Sequence, residues 1–248
     1  MNLFWVMPLK RILSIAAVVT VVVLTVTLAT ALPTAEASRR IPIYEVEDDG
    51  CVAITFDAAW GADKTRFLAD TLHQRSIRAT FFLTGFWIEA HPDLVLYLHE
   101  KGMEIANHSV NHYHMGDMSA EECLQEIQQV NSAVFSITGV QPRLFRAPFG
   151  EYSNTLIETL DRLGMRCIQW NVDSLDWKGL SAQQLTERVL ARAAAGSIIL
   201  CHNNSDHIGE ALPTILDQLT AKGYRFVTVS QLLEGKEGSI DPQGKLHA

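Results

Sequence analysis

The sequence predicts an α/β fold in which a parallel sheet curls into a βα barrel. Three observations predict it: short apolar runs recur through residues 41–234, a turn and an amphipathic stretch follow nearly every run, and the runs number seven. Near-continuous apolar strands that alternate with helices are typical of a parallel sheet covered on both faces. Seven such units favour a closed or nearly closed barrel, and an open doubly wound sheet is the alternative.

Each predicted strand is a short apolar run, and each predicted helix is the amphipathic stretch after it. The runs are CVAITF (51–56), ATFFLT (79–84), MEIAN (103–107), RLFRA (143–147), RCIQWNV (166–172), SIILCH (197–202) and RFVTV (225–229). The predicted helices span 63–75, 88–101, 119–137, 153–163, 181–195 and 208–222. Capping serines support three of their starts: Ser119, Ser153 and Ser181. Glycines stand where five of them should end: Gly102, Gly139, Gly164, Gly196 and Gly223.

The first forty residues differ in composition from the rest of the chain. Lys10 and Arg11 precede an uncharged apolar stretch, 12–32, that is long enough to span a bilayer as a helix. The basic pair places the leader, 1–11, in the cytoplasm. We therefore expect a single-pass protein of the cell membrane whose main domain is extracytoplasmic. Cleavage near Ala37, which would give a secreted protein, is the alternative.

The exported part is expected to comprise a linker at 33–45, one domain at 46–234 and a flexible tail at 235–248. It is acidic: the whole chain has a formal net charge of −8, and four of its basic residues but one acidic residue precede position 41. An acidic domain is a poor candidate for binding nucleic acid. The four cysteines lack CxxC spacing, and buried thiols are favoured over disulfides.

Ionisable side chains follow five of the predicted strands, at the point where each strand ends. They are Asp57, His108 with His112, Arg146, Asp173 with Asp176, and His202. In a βα barrel the carboxyl ends of the strands meet at one mouth, so these side chains should converge. Each one alone has a structural interpretation, such as a surface histidine pair, an ion pair or a turn cap. Their repeated placement at the same strand end favours a functional site.

Five motifs around these residues resemble the polysaccharide deacetylases, the NodB-homology domain of carbohydrate esterase family 4. They are TFDAAWG for the family's TFDDG, HSVNH for H-S/T-x-x-H, RAPFG for R-x-P-Y/F-G, DSLDW for D-x-x-D-W and LCH for L-x-H, in the family's order. The resemblance implies a distorted (β/α)7 barrel. The leader, the membrane segment and the Trp-Gly of the first motif resemble the sporulation-associated, membrane-anchored branch of the family.

The resemblance implies hydrolytic removal of acetyl groups from N-acetylhexosamine units of a cell-wall polysaccharide, with peptidoglycan as the expected polymer. By its motifs, His108 and His112 would hold a divalent metal, Zn²⁺ or Co²⁺, that polarises water and the acetyl carbonyl. Asp57 would take a proton from that water. Arg146 would keep Asp57 ionised and oriented, because an opposite charge within about 4–6 Å favours the carboxylate.

The same resemblance supplies the acid and the walls of the sugar groove. His202 would protonate the leaving nitrogen, and a neighbouring acid, Asp176 in preference to Asp173, would raise the pKa of His202. Phe149 and Trp177 would wall the groove, with Asp173 among the substrate-binding residues.

One position departs from the family's pattern. The second Asp of TFDDG is a metal ligand in the family, and this sequence has Ala58 there. The site would then hold metal more weakly, or Asp57 would become a ligand, or the domain would bind glycan without catalysis. The alternative function is therefore a membrane-tethered glycan-binding or structural wall protein. The expected partners are a cell-wall glycan and the membrane, with a monomeric chain.

Overall fold

The computed structural model describes residues 38–48 and 50–247, together with residues 8, 10, 11, 13 and 14. Nearly all of the predicted leader, 1–11, and of the predicted membrane segment, 12–32, lies outside the described residues. Within the described part, no helix has the length and apolar character needed to cross a membrane. One compact unit spans Arg39–Ala248.

The main sheet curls into a partial barrel, and every pairing between its strands is parallel. The strands of the chain are β1 (Glu45–Val46), β2 (Cys51–Ala58), β3 (Thr80–Leu83), β4 (Glu104–Asn107), β5 (Leu144–Phe145), β6 (Arg166–Cys167), β7 (Val172–Asp173), β8 (Ile198–His202), β9 (Arg225–Phe226) and β10 (Lys245–Leu246). The order is β6-β5-β4-β3-β2-β8-β7, and β9 pairs with the start of β2. All seven predicted runs contribute strands, so the predicted parallel α/β architecture is confirmed.

The run predicted as one strand at 166–172 is split in two, and the split brings the ends of the sheet together. β6 pairs with β5 at one end of the strand order, and β7 pairs with β8 at the other. Between them the backbone turns to a different partner: Ile43 donates to Cys167 O and accepts from Gln169 N. A single stretch of chain therefore contacts both ends of the curled sheet, and the linker residue Ile43 fills the interval.

The helices cover the outer face of the sheet. They are α1 (Thr65–Gln74), α2 (Gly85–Ala90), α3 (Pro92–Glu100), α4 (Ala120–Thr138), α5 (Asn154–Arg162), α6 (Ala182–Arg192), α7 (Ile208–Ala221) and α8 (Val229–Leu233). The helix predicted at 88–101 is two helices, because Pro92 lacks the N–H that would continue the first one and suits the first position of the second. Ser119 and Ser181 form capping boxes with Glu122 and Gln184, as the sequence predicts for Ser119.

β2 is buried along its whole length, and its two faces have different partners. Ile54, Phe56 and Ala58 belong to the apolar cluster that the outer helices complete. Thr55 and Asp57, which alternate with them, accept hydrogen bonds from the Arg146 guanidinium. Alternation along an extended strand thus separates an apolar outer face from a polar inner one. The cysteines are free and buried, which confirms the prediction of buried thiols.

The predicted flexible tail is 235–248, and its described part, 235–247, packs on the linker. β10 pairs with β1, Leu246 is fully buried, and Lys236 forms an ion pair of 2.7 Å with Asp48. The linker also needs a glycine beneath it, since a Cβ on Gly196 (φ 83°) would collide with the Val46 carbonyl. The folded domain therefore extends beyond the predicted 46–234 at both ends.

Candidate active site

A cavity of about 740 Å³ opens at the carboxyl ends of the strands. The sequence-predicted residues that line it are Asp57, His108, His112, Phe149, Asp173, Asp176, Trp177 and His202. Arg146, the ninth, lies fully buried beneath them. The structure thus brings together the side chains that the sequence placed at successive strand ends.

Asp57 sits at the floor of the cavity in a charged pair with Arg146. The Arg146 Nη1 donates to Asp57 Oδ1 at 2.7 Å and to Thr55 Oγ1 at 2.8 Å. Burial by itself would raise the pKa of Asp57, but the Arg146 charge and the nearby imidazoles hold it below the ordinary carboxyl value. Asp57 is therefore an ionised, oriented carboxylate that keeps its Oδ2 facing His108.

His202 lies directly beside Asp57, because their Cα atoms are partners in the β2–β8 pairing. Asp176 fixes it at two points: its Oδ2 accepts from the His202 N–H at 2.7 Å, and its Oδ1 lies 2.7 Å from His202 Nδ1. Burial alone would lower the pKa of His202, but the hydrogen bond and charge of Asp176 raise it above the ordinary histidine value. A carboxylate whose pKa is lowered and an imidazole whose pKa is raised therefore lie side by side.

His108 and His112 form an edge-to-face pair with ring centroids 4.9 Å apart. The Arg146 carbonyl accepts a hydrogen bond from His108 Nδ1 at 2.8 Å. His108 Nε2 therefore faces Asp57 Oδ2, at 3.6 Å. Burial lowers the pKa of His108, and burial together with His108 lowers the pKa of His112 to about 4. Both imidazoles are thus neutral near pH 7.

The loop that carries the two histidines is held in an unusual conformation. Ser109 (φ 66°) and His112 (φ 55°) both adopt left-handed backbone, which is strained for residues with a side chain. Asn107 Oδ1 accepts from the Ser109 N–H, and the carboxylate of Glu126 accepts from the backbone N–H groups of Val110 and Asn111. These buried acceptors compensate the strain and fix where the imidazoles point.

Aromatic side chains form the rim of the cavity. Phe149 is 55% exposed and Trp177 57% exposed, so about half of each residue is accessible to a ligand. Asp173 also lines the cavity, and its Oδ1 accepts from the Leu175 N–H. Its carboxylate therefore shapes the turn that presents Trp177; a direct contact with substrate stays a prediction.

A scan of protein-family models matches residues 45–168 to the polysaccharide deacetylase family. The match covers half of the chain and ends just before the β7 and β8 residues of the cavity. The chain belongs to the polysaccharide deacetylase family.

Relatives within the polysaccharide deacetylases cover most of the domain. The peptidoglycan-N-acetylglucosamine deacetylase PgdA of Listeria monocytogenes is 35% identical over 197 residues, which are 79% of this chain and 42% of that protein. A peptidoglycan-N-acetylglucosamine deacetylase of Bacillus cereus is 32% identical over 82% of this chain and 96% of its own length. The chain therefore spans less than half of the Listeria protein and nearly all of the Bacillus cereus one.

A solved structure adds a contrast among the polysaccharide deacetylases. A CE4 family pseudoenzyme from Bacillus anthracis superposes with a TM-score of 0.76 at 28% identity, covering 84% of this chain and 73% of that one. A mutant of that pseudoenzyme, described as having restored enzymatic activity, superposes with a TM-score of 0.75 at 29% identity. The same fold therefore occurs with and without catalysis.

The histidine pair fits a metal ion, but it supplies two of the three protein ligands that a catalytic zinc site normally has. Both imidazoles are neutral, as metal binding requires, and His112 Nδ1 is buried without a partner among the described residues. Within the described part of the chain, no group of three His, Cys, Asp or Glu side chains is arranged to hold a metal ion. A catalytic zinc site normally has three protein ligands, so this site offers two ligands and leaves the third to water or to Asp57.

The residues after Asp57 differ in which face of β2 they occupy. The resemblance assigned the family's missing ligand to Ala58, and the Ala58 methyl group packs in the apolar cluster on the outer face of β2. Ala59, the next residue on the face of Asp57, lines the cavity together with His108 and His112. β2 ends at Ala58, so a side chain at 59 is the one that faces the two histidines.

We expect Ala59→Asp and Ala58→Asp to behave oppositely. A carboxylate at 59 adds a third ligand, and Zn²⁺ or Co²⁺ should bind at least about tenfold more tightly. A carboxylate at 58 would be buried among apolar side chains and should lower the free energy of unfolding by several kcal/mol. Cobalt titration followed by absorbance, together with urea unfolding, measures both effects. Ala59→Asn is the matched neutral control; tighter metal binding by Ala58→Asp would contradict the assignment.

Several residues that build the site were not predicted: Thr55, Asn107, Glu126 and Trp170. Of these, Glu126 had a sequence signal, because it interrupts the apolar face of an amphipathic helix between Cys123 and Ile127. A carboxylate at such a position is buried and must find donors. Thr55, Asn107 and Trp170 carry no comparable signal, since each is an ordinary strand or loop residue.

Proposed function

We propose that the protein is a hydrolase that removes acetyl groups from N-acetylhexosamine units of a cell-wall glycan. One observation carries the proposal: Asp57 and His202 are neighbours in register on adjacent strands, and their surroundings shift their pKa values in opposite directions. Two neighbouring groups whose pKa values are shifted in opposite directions are suited to act as base and acid in one reaction.

The attacking water is deprotonated by Asp57 in the proposed reaction. Its carboxylate stays ionised because Arg146 donates to Oδ1 at 2.7 Å, which leaves Oδ2 free to accept a proton. Arg146 in turn is oriented by Thr55 Oγ1 and the Gln169 carbonyl, at 2.8 and 3.1 Å. The buried cation thus positions the base without contacting the substrate.

The departing amine receives its proton from His202. Asp176 occupies the Nδ1 side of that imidazole, so Nε2 carries the proton that can be transferred into the cavity. A divalent metal held by His108 and His112 would supply polarisation of the acetyl carbonyl and of the water. The cavity of about 740 Å³ lies in the upper part of the range for ligand sites, which suits a sugar unit better than an acetyl group alone.

The names of the relatives support a peptidoglycan substrate. The Listeria monocytogenes protein is a peptidoglycan-N-acetylglucosamine deacetylase, and a Bacillus subtilis relative, 32% identical over 75% of this chain, is a peptidoglycan-N-acetylmuramic acid deacetylase. We extend that substrate class to this chain. A role in sporulation and a membrane anchor at 12–32 complete the proposal, on the strength of the leader sequence.

Acetate release by the full-length protein from N-acetylated peptidoglycan fragments, with and without added Zn²⁺ or Co²⁺, tests the function. Because His202 must be protonated, the rate should fall as pH rises through its pKa, which Asp176 raises above the ordinary histidine value. Asp176→Asn removes the charge that raises the pKa of His202 and should shift this fall to lower pH. An unchanged pH profile in Asp176→Asn would contradict the assigned acid.

Glycan binding without catalysis is the second candidate. It is favoured by the missing third ligand and by the structural similarity to a pseudoenzyme. Glycan binding with no acetate release at any metal concentration would select it over the hydrolase.

A further inference from the structure

A row of aromatic rings crosses the mouth of the cavity on the side of β2. Phe86 and Trp60 lie 6.0 Å apart between ring centroids, Trp60 and His112 lie 4.8 Å apart, and His112 and Phe149 lie 4.6 Å apart. His114 stacks on Phe149 at 4.1 Å and ends the row. The predicted groove walls, Phe149 and Trp177, thus account for only part of the aromatic surface.

Trp60 is an exposed member of the row, with 59% of its surface accessible. The turn that carries it is nevertheless fixed, because the Gly61 carbonyl accepts hydrogen bonds from Trp87 Nε1 at 2.7 Å and Asn203 Nδ2 at 2.9 Å. Gly61 has φ 65° and lies so close to Asn204 that a Cβ would meet it at 2.9 Å. A large apolar side chain held in place yet open to solvent is a preorganised binding surface.

Trp60 and Trp177 lie on opposite sides of the proposed acid. Trp60 follows β2, Trp177 follows β7, and β8 with His202 lies between those strands. Both indoles line the same cavity. A ligand that reaches His202 can therefore contact an aromatic face on each side of the reacting group.

A second cavity lies beside Phe86. Its volume is about 390 Å³, and Glu89, Asn111 and Gln129 line it together with Phe86. Carboxylate and amide groups around an apolar floor match the alternation of hydroxyl groups and C–H faces on a sugar. Trp60 lines the first cavity and Phe86 the second, so this ring pair, 6.0 Å apart between centroids, links the two.

We propose that Trp60 and Phe86 form a binding platform for a second sugar unit of the glycan, adjacent to the unit bound between Asp57 and His202. The proposal rests on the proposed function for the identity of the ligand. It makes the substrate an extended glycan segment that occupies the groove on both sides of the acid, and a single N-acetylhexosamine fills only the centre.

A structural role for Trp60 predicts a different outcome from a platform. The indole packs on His112, so its removal could loosen that imidazole and weaken every ligand equally. A platform acts only on ligands long enough to reach it. The ratio of the affinity for a long oligomer to the affinity for a ligand too short to reach Trp60 therefore separates the two roles. Any effect through His112 cancels in this ratio.

The experiment measures binding of the N-acetylglucosamine monomer and of its β-1,4-linked hexamer by calorimetry to the full-length Asp57→Asn protein, alone and with Trp60→Ala. We expect Trp60→Ala to reduce the hexamer-to-monomer affinity ratio by about three- to tenfold. Phe86→Leu should reduce the ratio in the same direction. Phe67→Ala removes an exposed phenylalanine from α1, outside both cavities, and should leave the ratio unchanged.

An equal loss of affinity for monomer and hexamer in Trp60→Ala would overturn the platform and assign the indole to positioning His112. Unchanged affinities for both ligands would overturn the platform as well. Acetate release by the protein with native Asp57, measured in parallel, separates this result from the proposed function. Acetate release with an unaltered ratio would refute only the platform, whereas an altered ratio without acetate release would refute only catalysis.

Discussion

Asp57→Asn should reduce acetate release by about 10²–10⁴-fold while glycan still binds. The amide cannot take a proton from the attacking water, although its oxygen can still accept a hydrogen bond from Arg146. The groove walls and the Trp60 platform do not contact this side chain, so they keep their shape. The measurement is the rate of acetate release, with glycan binding by calorimetry on the same sample.

The matched control for Asp57 is Asp217, a carboxylate that also pairs with an arginine. Arg75 Nε lies 2.8 Å from Asp217 Oδ1 on the protein surface. Asp217→Asn should leave acetate release unchanged, because this pair lies outside the cavity. Turnover by Asp57→Asn at the unaltered rate would refute the proposed base and with it the mechanism.

Arg146→Met should lower the free energy of unfolding by about 3–5 kcal/mol at pH 7. The substitution keeps an apolar side chain of similar length between Phe82 and Trp170, so packing is largely preserved. It leaves the buried Asp57 carboxylate without a counter-charge, and the Gln169 carbonyl without one of its donors. Urea unfolding of the variant and of the unaltered protein gives the difference.

The loss of unfolding free energy in Arg146→Met should become smaller as pH falls. Because Arg146 holds the pKa of Asp57 below the ordinary carboxyl value, the pair contributes stability that is present above that ordinary value, about 4, and is lost as pH falls through the lowered one. Without Arg146 the buried carboxyl protonates more readily, so the difference between the two proteins should shrink under acidic conditions. Arg75→Met, which breaks a surface pair, should cost at most about 1 kcal/mol. Equal losses of unfolding free energy in Arg146→Met and Arg75→Met would contradict the claim that burial makes the Arg146–Asp57 pair more important than a surface pair.

The fold was largely predictable because its signals are local. Apolar runs of strand length, capping serines and Gly139 with φ 71° at the end of α4 each act within a few residues. Two features were not predictable from such signals. The split of 166–172 into β6 and β7 depends on Ile43, more than a hundred residues away, and the pairing of β10 with β1 depends on contact between the two ends of the domain.

The sequence placed the ionisable residues of the cavity, since one or two such side chains followed each of five strands. Their orientation was not predictable. The family's motif points to Ala58 as the substituted ligand position, whereas the alternation of β2 turns that side chain into the core and presents Ala59 to the cavity. Adjacent residues of a strand point to opposite faces. Which of the two faces the cavity therefore depends on where the strand ends in three dimensions.

The position of β2 in the sheet has a consequence for how the protein is made. One edge of this strand pairs with β3, a short distance along the chain, and with β9, whereas the other edge pairs with β8, about 145 residues later. During synthesis this fully buried strand therefore waits with an open edge, the condition under which chains associate wrongly. β8 closes that edge and also brings His202 to Asp57. An incomplete chain therefore has neither a closed sheet nor a complete acid–base pair.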